Sequence, residues 1–163
     1  MNTVELGIDG LKRNQEFLAM TLADFSDADM LARPCPGANH AAWQLGHLIV
    51  AETGMVNGVK PGAMPELPAG FADKFSKETC SKDDAAFFPT KAQLLDLWAK
   101  TRAGVIAWAK TLNQADLDRP APEKMQRFVP TVGHLLVMMP VHATMHIGQF
   151  QVIRRKLGKP ILF

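Results

Sequence analysis

The chain has 163 residues, 47% hydrophobic and 21% charged, which fits a single domain over residues 1–163 with a core large enough to need no disulfide staple. Eighteen Lys and Arg against sixteen Asp and Glu leave a charge of +2 with His neutral, so the concentrated basic stripe that a nucleic-acid binder needs is missing. Nothing approaches eighteen uninterrupted apolar residues, and the first ten residues lack the basic and apolar run of a signal peptide, so the expectation is a cytoplasmic protein with no membrane partner.

Four helical segments follow in order. Val4, Ile8, Leu11, Phe17, Leu18, Leu22 and Phe25 recur at helical spacing, with Thr3 expected to cap the start. A connector through Pro34-Cys-Pro-Gly leads to a second segment, about Asn39 to Val59, with Asn39 expected as its cap and Trp43, His47 and Val50 on one stripe. Residues 60 to 89 carry four prolines and no periodicity. A loop of that length is a crossover or a functional segment, and Phe71, Phe75, Phe87 and Phe88 predict that it packs on the protein. The third segment runs from Thr90 to about Leu112. A polar connector with a turn of helix at Asp116-Leu117 then precedes the fourth, Thr131 to Leu157, which stops at Gly158 and holds Pro140 inside. Arg154, Arg155 and Lys156 in its last turn read as solvated charges complementing the helix dipole. No strand signal appears. Short connectors make neighbours antiparallel and the long crossing lets segments two and three run parallel. The expected fold is therefore all-α, a four-helix bundle running up-down-down-up.

His142 and His146 are four positions apart, so they project from one helical face a turn apart, amid an otherwise apolar stretch. The spacing alone is a weak metal signal. Burial strengthens it, because two adjacent imidazoles in a core need partners and one cation serves both. A third ligand is chosen by height. With segments two and four antiparallel, His47 lies twelve residues before Val59 and His142 eleven after Thr131, at matching levels. His40 would lie about 10 Å from the level of His47 along the axis, and His134 about 12 Å from that of His142. Both read as capping, surface or supporting residues. Position 143 is Ala, so there is no HExxH, and no Glu precedes a His by three, so a di-iron carboxylate bundle is excluded.

The run Asn39-His-Ala-Ala-Trp43-Gln-Leu-Gly46-His47-Leu, then His142-xxx-His146-xx-Gln149 and Arg154-Arg155-xx-Gly158-xx-Pro160, resembles the DinB-like superfamily of damage-inducible proteins. Leu67-Pro-Ala-Gly-Phe and Asp116-Leu-Asp agree with it, and the match covers nearly the whole chain in order. The resemblance implies a four-helix bundle holding one divalent metal on His47, His142 and His146, often as a homodimer. Parts of the family resemble metal-dependent transferases or isomerases that use low-molecular-weight thiols.

Three neutral imidazoles leave the ion its full charge and an open position, the pattern of a catalytic site. Zn or Ni is the first expectation, with Fe, Co, Cu and Mn open. An open ion could lower the pKa of a bound thiol, and with the family resemblance the expected activity is a thiol S-transferase or isomerase. Gln149, on the face of His142 and His146, reads equally as a ligand-orienting amide or a solvated one, and Trp43 as a core residue or a wall of the site. Two alternatives stay open: metal-assisted hydrolysis, for which Glu52 or an acid of the crossing would have to be the base, and a non-enzymatic metal-binding stress-response protein. Cys35 and Cys80 form no CxxC and read as inert reduced thiols, with one disulfide open.

Overall fold

The structure, a computed structural model, describes residues 1–162. They form six α-helices, three 3₁₀ turns and no strand. Helix α1 spans Thr3–Leu22, and its cap is Asn2, one residue before the expected Thr3. Asn2 Oδ1 accepts from the Glu5 amide while Glu5 Oε2 accepts from the Asn2 amide, which satisfies two of the donors a helix start leaves open. The helix ends before Phe25, because Ser26 starts the short α2 (Asp27–Met30) with a capping box of its own. Helix α3 spans Ala41–Val59 and is capped by His40, not by the expected Asn39. Helix α4 spans Lys91–Ala109 behind Thr90. Helix α5 (Gln114–Asp118) is the expected turn around Asp116. Helix α6 spans Val132–Lys156, passing through Pro140 and ending where Gly158 takes φ 70°.

The four long helices pack in a ring, α1 against α4 and α6, and α3 against α4 and α6. Register along one contact fixes its direction. Gly7 meets Leu136, Asn14 meets Thr144, and Thr21 meets Gln151 and Arg154, so α1 and α6 run the same way. The crossing lies on the protein as expected, with Phe71, Phe75 and Phe88 buried. Phe75 comes so close to Gly46 that a Cβ there would fall 2.1 Å from its ring, so only glycine lets this segment lie flat on α3 beside His47.

The apolar interior falls into two clusters. Leu18, Leu22, Leu48, Trp98 and Phe150 belong to one, and Leu11, Val56, Val105, Leu135 and Met139 to the other. Asn14 on α1, Glu52 on α3 and Arg102 on α4 sit between them in sequence on their helices, all buried. Arg102 Nη2 donates to Glu52 Oε1 at 2.7 Å and to Asn14 Oδ1 at 3.2 Å, and Asn14 Nδ2 reaches Thr144 Oγ1 on α6 at 2.9 Å. One polar layer thus ties all four long helices. Arg154 departs from its sequence reading. It is buried, pairs with Asp24 and donates to the carbonyls of Thr21 and Pro160, while Arg155 and Lys156 stay exposed.

Candidate metal centre

His47 from α3 and His142 and His146 from α6 meet between these two helices, each half-buried. One ring nitrogen from each lies within 4.8 Å of the others. Ring centroids are 5.2 Å apart for His47 and His142, 5.5 Å for His47 and His146, and 5.0 Å for His142 and His146. Nε2 of His146 lies 3.3 Å from Nε2 of His142. No carboxylate or thiol joins this group among the described residues.

Each ring is held differently. His47 stacks on Trp43, with planes 6° apart and centroids at 5.1 Å. Trp43 is itself buried and fixed by Nε1 donating to Thr79 Oγ1 at 3.3 Å, so the crossing reaches the site through one indole. Trp43 is therefore both a core residue and a wall of the site. His146 Nδ1 lies 2.8 Å from Oε1 of the buried Gln44. His142 Nδ1 is buried with no hydrogen-bond partner among the described residues.

The electrostatics disfavour protons here. Burial, and then the neighbouring His142, push the His47 imidazole down to about 4. Burial, and then His142 and His47, push His146 down to about 3, and burial lowers His142 as well. The rings are neutral at pH 7 and offer lone pairs instead of charge.

This donor set fits a divalent cation. Two imidazole nitrogens at the usual bond length of about 2.0–2.1 Å and a tetrahedral angle stand roughly 3.3 Å apart, which is the His142–His146 separation. Two bare lone pairs that close repel each other unless a proton or an ion lies between them.

The other candidates lie elsewhere. His40 is buried at the start of α3, where Nδ1 accepts from the Trp43 amide and Nε2 donates to the Lys82 carbonyl, so neither nitrogen is free for an ion. His134 is exposed beside Thr131. Gln149 is exposed one turn beyond His146. Glu52 is committed to Arg102, and burial outweighs that partner to push its carboxyl up to about 7. Cys35 and Cys80 are free thiols, so the open disulfide does not form. Sequence reading assigned no role to Gln44 or Thr79. The one local sign was that Gln44 precedes His47 by three and so lies near it on the helix surface.

An all-helical chain with three imidazoles gathered between two of its long helices defines a class of candidate metal-binding helical proteins. The family model of the DinB superfamily matches residues 11–150, and the chain belongs to that superfamily. Its structure is similar to the crystal structure of a conserved protein from Enterococcus faecalis, with a TM-score of 0.75 and 18% identity over 98% of this chain and 99% of that one, a likeness of fold. Comparison with curated proteins gives no match. Among the described residues no helix is long and apolar enough to cross a membrane.

Proposed function

We propose that the protein binds one divalent metal ion through His47, His142 and His146 and uses it to activate a low-molecular-weight thiol for attack on an electrophile, as a thiol S-transferase or isomerase. The observation that carries the metal reading is the 3.3 Å between the Nε2 atoms of His142 and His146, with a nitrogen of His47 close by. The scaffold in this proposal is an up-down-down-up four-helix bundle. Zn or Ni is the expected ion. A homodimer, which the family resemblance implies, and the cytoplasmic setting expected from the sequence complete it.

An ion on three neutral ligands supplies a Lewis-acidic position that lowers the pKa of a bound thiol or water. The chain's residues supply the rest. The depressed imidazoles keep their lone pairs at neutral pH. Trp43 walls one side of the site against His47. Gln149 stands exposed near the rim, where an orienting role toward a ligand is open to it. The lack of a carboxylate among the gathered groups favours an external thiol over hydrolysis, since water attack would need a base and Glu52 is tied to Arg102.

The test is elemental analysis of protein purified without added metal, repeated on His142→Ala, together with turnover of a chromogenic electrophile across a panel of small thiols. The expected result is about one ion per chain in the wild type, its loss in His142→Ala, and a thiol-dependent rate that chelation abolishes. Equal metal content in both proteins would remove His142 from the site. Bound metal with no rate for any thiol would favour a non-enzymatic metal-binding protein.

A further inference from the structure

Gln44 is fully buried, and both ends of its amide are used. One end lies 2.6 Å from the Asn39 carbonyl, the other 2.8 Å from Nδ1 of His146. Asn39 settles which end is which. A backbone carbonyl only accepts, so the amide nitrogen must face it; the reversed amide would set two oxygens 2.6 Å apart. The amide oxygen therefore faces His146 and can be met only by an N–H on Nδ1. A neutral imidazole carries one N–H, so Nε2 of His146 is left as a bare lone pair. That is the atom 3.3 Å from Nε2 of His142.

We infer that Gln44 is a positioning residue that fixes His146 as the Nδ1–H tautomer and aims its Nε2 lone pair into the centre of the triad. The purpose of this arrangement rests on the metal reading; the tautomer itself does not. A cation arriving at the site meets one ligand already in the required protonation form and orientation, with no proton to move from the bonding nitrogen. The three rings differ in this respect. His47 is held by ring contacts, chiefly its stack on Trp43, which set the plane of the ring but not the place of its proton, and His142 Nδ1 has no partner among the described residues. Of the three, His146 is the ligand preset by a hydrogen bond. The Gln44 amide is in turn held by Asn39, immediately before the imidazole that caps α3, so the start of that helix and the ligand on α6 are linked through one side chain.

A merely structural Gln44, tying down the Asn39 carbonyl, is distinguished by two variants. Gln44→Glu keeps an acceptor for His146 and loses the donor to Asn39, so its second carboxylate oxygen must turn away from that carbonyl. Gln44→Met keeps the bulk and loses both. Long-range proton–nitrogen correlation spectra of the metal-free protein at pH 7.5 read the tautomer directly. Zinc titration by competition with a chromogenic chelator reads affinity. The expected result is Nδ1–H at His146 in the wild type and in Gln44→Glu, and a tautomer mixture in Gln44→Met. Zinc affinity should fall about 10- to 100-fold in Gln44→Met and stay within a few-fold in Gln44→Glu. His146 protonated at Nε2 in the wild type would overturn the inference, as would equal loss in the two variants. Failure of the wild type to take up zinc would end the metal reading, and the spectra would still decide the role of Gln44.

Discussion

Glu52 meets Arg102 at 2.7 Å with neither side chain exposed, whereas His47, His142 and His146 crowd together with no opposite charge among them. Both groups are polar and both sit between long helices. The first is closed in charge: its cation has an anion and Asn14 joins Arg102 to α6, although Glu52 Oε2 and Arg102 Nε and Nη1 have no hydrogen-bond partner among the described residues. The second is open: its rings are neutral, no charged group lies among them, and Nδ1 of His142 has no partner among the described residues. A buried polar nitrogen without a partner is costly to keep in a core. The contrast separates a layer that holds helices together from a cluster arranged to receive something.

The largest effect should come from breaking the closed layer. Arg102→Met leaves Glu52 buried without its cation, and the expected loss is about 3 kcal/mol of stability at pH 8. Glu52 already sits near 7, so the variant can escape by taking up a proton, and the loss should shrink at pH 6. Adding Glu52→Met should return most of the stability, since two apolar side chains of similar bulk leave no charge stranded. Urea melts at the two pH values measure all of this. Zinc affinity of the folded variants should stay close to that of the wild type. A loss of zinc binding that tracks the loss of stability would erase the distinction between the two regions.

The open cluster should announce itself through pH. In the unfolded chain these imidazoles titrate near the ordinary value of about 6.5. In the folded chain burial and mutual repulsion hold His47 at about 4 and His146 at about 3. Below pH 6.5 the unfolded chain therefore binds protons that the folded chain refuses. Their contribution to stability is whole above that pH and is lost progressively as pH falls from about 6.5 down to and through the folded values. Chelator-treated protein should melt on the order of 5 °C lower at pH 5 than at pH 7.5. Replacing His47 and His146 by Gln should flatten that dependence. Glu52, held at about 7, adds the opposite dependence to both proteins, so an equal pH shift in the wild type and in the Gln double variant would contradict the burial assigned to the rings.

How much of this the sequence discloses depends on how local the cause is. The helices were legible because their apolar spacing and their caps lie within a few residues of each other. Errors fell at single positions where two suitable residues adjoin: Asn2 caps in place of Thr3, and an imidazole, seldom read as a cap, replaces Asn39. The convergence of His47 with His142 and His146 could be anticipated from helix rise alone, because both helices are long and their heights could be counted. Arg102, Glu52 and Asn14 gave no sign. Each looks like a surface residue in its own helix, and only the relative rotation of three helices turns them toward one another. Arg154 misled for the same reason, since Asp24, its partner, lies just past the end of α1 and far away in sequence. Gln44 and His146 are joined across α3 and α6, where no spacing rule reaches.

The smallest expected effect sharpens the comparison at its edge, where the crossing touches the open cluster. Thr79 accepts from Trp43 Nε1 and donates within its own turn, to the carbonyls of Lys74 and Ser76. Thr79→Val preserves shape and removes that acceptor, stranding a buried indole N–H at a cost of about 1 kcal/mol. If Trp43 only fills the core, that is the whole effect. If its plane sets the plane of His47, the looser indole should also weaken zinc binding, by about 2- to 5-fold, with less change in stability than Arg102→Met. Parallel zinc titrations and urea melts of the two variants test this ordering. Thr79→Val should move affinity together with stability and Arg102→Met stability with little change in affinity, because one residue supports a ring of the triad and the other supports the helices that carry it.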